Sequence, residues 1–199
     1  MSVANQITMG RLVLAIGLFT LMTVMDVNGQ HGVLLLIISM LLFVAVVASD
    51  ALDGYYARKY KQVSDFGRVA DPAVDKIVVC GTLILLVAEE WVRPVLAPWM
   101  VVLIVTREFV INGLRGFVES RGIDFSASWP GKLKMIVQST AIPSIFLFKI
   151  VELWLPEQAF VVTGSRILAV VLIWTAIILT FYSGIEYITK AARLLRTDP

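Results

Sequence analysis

Stretches of apolar residues alternate with short polar breaks along the whole chain. The apolar runs fall at about Leu12–Met25, Val33–Ala48, Ile77–Ala88, Val95–Val105, Ile136–Leu155 and Ile167–Ile188. Several are shorter than the roughly 20 residues that a helix needs to cross a bilayer. Each short run continues into a stretch with helical periodicity that carries polar residues. Such extensions are tolerated where they face a bundle interior or water instead of lipid. The pattern predicts an all-α integral membrane bundle of six transmembrane helices. The breaks near Asp26–Gly32, Glu89–Pro94 and Glu152–Thr163 read as short loops, and Trp91, Trp99, Trp129 and Trp154 stand near helix ends, where interfacial aromatics belong.

Composition agrees. The 199 residues are 58% hydrophobic and 16% charged, with mean hydropathy +0.85, too little polar surface for a soluble domain of this size. The net charge of +2 is too small to indicate a nucleic-acid binder. The distribution of charge says more. Fourteen of the 17 lysines and arginines sort to one side of the bundle, and only Arg93, Lys149 and Arg166 to the other. The positive-inside rule then places both termini and the two longer connections in the cytoplasm. The N-terminus shows no signal-peptide cleavage pattern. No repeat or linker divides the chain, so residues 1–199 read as one domain. Cys80, alone in an apolar run, reads as a packing residue and excludes a disulfide framework. His31 reads as a loop residue.

The chemistry concentrates in Ser49–Lys76. Asp50 and Asp53 are three apart, Asp71 and Asp75 four apart, so each pair shares a helix face. The first pair ends the second apolar helix and the second pair opens the third; a hairpin would gather all four. Carboxylates that close repel one another unless cations neutralise them. Oxygen ligands without His or Cys suit a hard divalent ion, Mg²⁺ or Mn²⁺, in one or two copies. Carboxylates beside apolar helices are costly, which favours a functional site over solvated loop charges. Gly54 and Ala57 leave room beside that face for a bulky ligand, or for tight helix packing. Arg58 adds a guanidinium suited to a diphosphate.

A second basic segment contains Arg107, Arg115, Lys132 and Lys134. The two arginines are eight apart, about two helical turns, and so lie on roughly one face. Together the four could bind a phosphate monoester. Topological charge explains Arg121 equally well but fits Arg107 poorly, since that residue is embedded in an apolar helix beside Glu108.

The order Asp50, Asp53, Gly54, Ala57, Arg58, Gly67, Asp71, Asp75 resembles the DxxDGxxAR…GxxxDxxxD signature of the CDP-alcohol phosphotransferases. The resemblance implies an enzyme that joins a CDP-linked donor to an alcohol and releases CMP, with two divalent metals on the four aspartates. By the same resemblance Asp75 is also the base, and Asp50, Gly54, Ala57, Arg58 and Gly67 hold the CDP moiety. The segments Arg107-Glu108-Phe109, Leu114-Arg115 and Gly131-Lys132-Leu133-Lys134 resemble the branch that uses CDP-diacylglycerol and glycerol 3-phosphate. So do Asn5–Arg11 and Ser183–Tyr187. Ala4 stands where that branch has proline, and Met135 where it has threonine. The resemblance further implies a homodimer in a bacterial inner membrane with its site facing the cytoplasm. Two alternatives remain open. Inositol phosphate would use the same basic pocket, and a divalent-cation transporter would use the aspartates, although such sites usually sit at the bilayer midplane between inverted repeats.

Overall fold

The computed structural model describes residues 3–60, 65–121 and 129–197, with the side chains of 8–49, 73–121 and 129–194. Six α-helices occur among them: α1 Val3–Val24, α2 Gly32–Tyr60, α3 Asp65–Ala88, α4 Pro98–Ser120, α5 Trp129–Trp154 and α6 Ala159–Thr197. A single 3₁₀ turn, Glu90–Val92, joins α3 to α4. No strand occurs among the described residues.

Each helix buries one stripe. On α1 it runs Thr8, Arg11, Ala15, Leu18, Met22; on α2 Leu36, Ser39, Phe43, Val46; on α6 Ala169, Ile173, Ala176, Thr180, Ser183, Tyr187, Ala191. Steps of three and four mark one face of a 3.6-residue helix. The opposite faces are also apolar: Val13, Ile16, Leu34, Leu41, Val102, Phe109, Val171, Ile178 and Phe181 are exposed. Helices that are hydrophobic all round belong in a membrane. Among the described residues three are long and apolar enough to cross one by themselves, over Gly32–Ser49, Trp129–Trp154 and Ala159–Leu194, while the apolar part of α1, Thr8–Val24, is shorter.

The stripes change character along the helices. α5 buries Ala141, Ile142, Ile145 and Phe146 in its middle, but Lys134 and Gln138 near its start. α6 likewise passes from Ala169 and Ile173 to Ser183 and Tyr187. The start of α5 and the ends of α4 and α6 therefore form a polar end of the bundle. Arg107 meets Ser183 and Arg115 meets Tyr187, so α4 and α6 run parallel. At the other end Lys149, on α5, pairs with Glu152 at 2.7 Å and stands 5.9 Å from the ring centre of Trp91. The lysine inside the apolar run Ile136–Leu155 is thus a buried, paired residue.

Two boundaries differ from the sequence reading. The expected loop Glu152–Thr163 shrinks to residues 155–158, because α6 begins at Ala159. α3 begins at Asp65, so Asp71 and Asp75 lie inside a helix instead of opening it. In both cases the helix continues past its apolar run, since protein neighbours or water can take its polar side chains.

The α1–α2 turn explains one glycine. Asp26 Oδ1 accepts from the amide of Asn28 at 3.1 Å, and the Gly32 amide donates to Gly29 O at 3.0 Å. A Cβ on Gly32 would stand 2.0 Å from Val27 O, backbone that cannot yield cheaply. Gly32→Ala should destabilise the protein by about 2 kcal/mol, read as a lower melting temperature in detergent. An unchanged melting temperature would mean that the turn relaxes.

Candidate active site

The polar end of the bundle encloses a cavity of about 530 Å³, within the size range of small-molecule sites. α3 contributes Asp75, Lys76 and Cys80; α4 contributes Arg107, Glu108, Asn112 and Arg115; α5 contributes Lys132, Lys134, Gln138 and Ser139; α6 contributes Tyr187. The expected phosphate-binding residues Arg107, Arg115, Lys132 and Lys134 thus surround one space, and Asp75 opens onto it too. Met135, where the resembling branch has threonine, lines the same wall.

Helical spacing accounts for the local arrangement. Arg107 and Arg115 share a face of α4, as two turns of helix require. Lys134 and Gln138 are one turn apart on α5. Glu108 joins the two helices: its Oε1 accepts from Arg107 Nη1 at 3.3 Å and from Lys134 Nζ. That carboxylate offsets part of the charge of five surrounding cations, and with them it leaves the cavity strongly positive. Arg107 Nη2 also donates to Ser183 Oγ at 2.9 Å, and Arg115 Nη2 to the Tyr187 hydroxyl at 3.4 Å.

Some polar atoms are left over. Arg107 Nε, Arg115 Nε and both amide atoms of Gln138 are buried without a hydrogen-bond partner among the described residues. Buried polar groups are nearly always satisfied, so an exception calls for a reason such as a ligand. Two guanidinium donors beside two lysines match the oxygens of a phosphate. A buried carboxamide, able to donate and accept, matches an alcohol hydroxyl.

The aspartate pairs are placed by backbone only. Asp50, Asp53, Gly54, Ala57 and Arg58 lie on α2, and Gly67 and Asp71 on α3; their side chains fall outside the described residues. Asp75 is the member of the four whose side chain is described, and it lines the cavity. Among the described residues no group of three carboxylate, imidazole or thiol side chains is placed to hold a metal.

Sequence reasoning passed over several of these residues. Gln138 is a polar residue inside the apolar run Ile136–Leu155, one turn after Lys134, and that cost at membrane depth is the signal that could have found it. Lys76 reads as topological charge yet lines the cavity. Cys80 is buried, as expected for a packing residue, but it also borders the cavity. Ser183 and Tyr187 enter the sequence reading only through the resemblance of Ser183–Tyr187, without a role, because their arginine partners lie 76 and 72 residues away.

Residues 1–182 match the family model described as CDP-alcohol phosphatidyltransferase. The chain is 36% identical over 159 residues to the CDP-diacylglycerol–glycerol-3-phosphate 3-phosphatidyltransferase of Bacillus subtilis, covering 79% of this chain and 75% of that one. It is 33% identical over 195 residues to a probable phosphatidylglycerophosphate synthase of Mycobacterium tuberculosis, covering 96% and 82% of the two chains. A Haemophilus influenzae protein with the first of these names is 32% identical over 156 residues, 77% of each chain.

Proposed function

The chain belongs to the CDP-alcohol phosphatidyltransferase family, and we propose that it transfers the phosphatidyl group of CDP-diacylglycerol to glycerol 3-phosphate, giving phosphatidylglycerophosphate and CMP. One observation carries the choice of a phosphorylated acceptor, and the names of the relatives support glycerol 3-phosphate among such acceptors. Asp75 opens onto the same cavity as Arg107, Arg115, Lys132 and Lys134, and both guanidinium Nε atoms there are buried donors in need of an acceptor.

In this reading Arg107, Arg115, Lys132 and Lys134 bind the phosphate of the acceptor, which turns its free primary hydroxyl towards Asp75. Asp75 takes the proton from that hydroxyl as the oxygen attacks the β-phosphate of the donor. The bond from the β-phosphate to CMP breaks, and CMP leaves. Gln138 is placed to meet the remaining hydroxyl of glycerol 3-phosphate. Asp50, Gly54, Ala57, Arg58 and Gly67 hold the CDP moiety. Glu108 holds Arg107 and Lys134 together and aligned, so that two cations that repel each other both line one cavity.

The donor set Asp50, Asp53, Asp71 and Asp75 fits a hard divalent cation, because α2 and α3 are adjacent helices and carboxylate oxygens are its preferred ligands. Bound there, two ions of Mg²⁺ or Mn²⁺ would neutralise the diphosphate and stabilise the charge that develops on it.

The same reading makes residues 1–199 one domain of six spans in a bacterial inner membrane, with both termini and the active site cytoplasmic. The charge asymmetry supports that orientation. A homodimer rests on the family resemblance.

The purified protein, given CDP-diacylglycerol in mixed micelles with Mg²⁺ or Mn²⁺, is expected to release CMP with glycerol 3-phosphate but not with free serine. Chelation by EDTA should stop the reaction and added metal restore it. CMP release with inositol phosphate alone would overturn the acceptor. No CMP with any alcohol would overturn the enzyme reading and leave cation transport as the reading to test.

A further inference from the structure

α6 reaches the cavity with two side chains one turn apart. Ser183 Oγ accepts from Arg107 Nη2 at 2.9 Å and donates onward to Leu179 O at 2.6 Å. Tyr187 is 2% exposed. The guanidinium carbons of Arg107 and Arg115 stand 5.5 and 5.9 Å from the centre of its ring. A Cβ on Gly184 would meet Arg107 Cγ at 3.5 Å, so the α6 backbone lies directly against the stem of that arginine.

Two guanidiniums gathered on one small site repel each other, and left to themselves they would swing apart. An aromatic ring attracts both through its electron-rich face, most strongly where water is excluded. Contact with a ring also restricts the orientation of a planar guanidinium, which a lysine ammonium would not experience. Arg107 donates through Nη1 to Glu108 and through Nη2 to Ser183, and Arg115 through Nη2 to the Tyr187 hydroxyl, while Nε of each arginine is buried and unpaired among the described residues. The arrangement uses protein partners to fix part of each guanidinium and leaves further N–H donors of both uncommitted.

We infer that Tyr187, with Ser183 one turn before it, is a positioning residue for the acceptor: a single ring from α6 holds Arg107 and Arg115 so that both guanidiniums line one cavity and serve one phosphate monoester. The inference rests on the phosphate-pocket reading above. Its rival is a purely structural role, because Tyr187 also packs in a small apolar cluster with Ile111, Val118 and Ala191.

Steady-state kinetics of Tyr187→Leu, Tyr187→Phe, Ser183→Ala and the cluster control Val118→Ala separate the two, together with binding of inorganic phosphate to the same full-length proteins. Tyr187→Leu should raise KM for glycerol 3-phosphate roughly tenfold, with phosphate affinity weakened by a similar factor. KM for CDP-diacylglycerol and kcat should stay within about twofold, as expected when ground-state binding of one substrate is lost. Tyr187→Phe keeps the ring face and should stay within about threefold of the parent. Val118→Ala should lower the melting temperature without changing the acceptor KM. If Tyr187→Leu does not fold, Ser183→Ala carries the test, with an expected rise in acceptor KM of about fivefold from the lost Arg107 bond. An acceptor KM that does not move, a Phe variant as damaged as Leu, or a shift in both substrates' KM together would overturn the inference. If the parent protein has no turnover with glycerol 3-phosphate, the proposed reaction falls. The phosphate-binding comparison then still decides the role of Tyr187.

Discussion

Asp75→Asn is expected to lower the rate of CMP release by about three orders of magnitude, within the range a positioned general base contributes. Asparagine keeps the size and shape of the side chain but cannot take a proton from the attacking hydroxyl. Asp75 lines the cavity with the acceptor-binding cations, which is where such a base must stand. The loss should fall on kcat, while binding of CDP, measured by calorimetry with Mn²⁺ present, is largely spared. That contrast matters because the resemblance also makes Asp75 a metal ligand. A variant that loses turnover and CDP binding together would point to the metal role alone. Turnover within about tenfold of the parent would rule Asp75 out as the base.

Arg107→Ala should act on the other substrate, raising KM for glycerol 3-phosphate about 100-fold, or about 2.7 kcal/mol. Three effects add. The phosphate loses a charge-assisted donor. Glu108 loses the Arg107 side of its pair, so a less compensated carboxylate faces an incoming dianion. Ser183 loses its guanidinium donor. Arg107→Lys should recover only part of the loss, because an ammonium restores the charge but not the fork that reaches Glu108 and Ser183 together. Full recovery by lysine would show that charge alone matters. A matched loss in KM for CDP-diacylglycerol would show that the cavity serves the donor instead.

Much of the candidate site was legible in the sequence because helical spacing is a local rule. Asp50 with Asp53, Asp71 with Asp75, and Arg107 with Arg115 lie on shared faces whatever the rest of the chain does. The cost of a charge inside an apolar helix likewise singled out Arg107 without a structure. What escaped was of another kind. Gln138 reads as one more polar residue until its helix is packed and its amide is found buried and unpaired. Lys149 reads only as a charge on the far side of the bundle; contact with Glu152 and Trp91 reveals a buried pair.

By itself the sequence determined the class of the molecule and pointed to its chemistry: apolar helices for a membrane, a carboxylate signature that resembles that of enzymes with a CDP-linked donor, a basic face that suits a phosphorylated acceptor. Those depend on composition and on neighbours within a few residues, which the helical period orders without further help. Only the tertiary structure decided that Asp75 and the basic face share one cavity and that Glu108 bridges α4 to α5. It also decided that Tyr187 holds the two arginines. Each of these joins residues separated by tens of positions, and their meeting depends on which helices pack together and at what height. Local periodicity carries no record of that choice, because the packing of α6 against both α5 and α4 makes it.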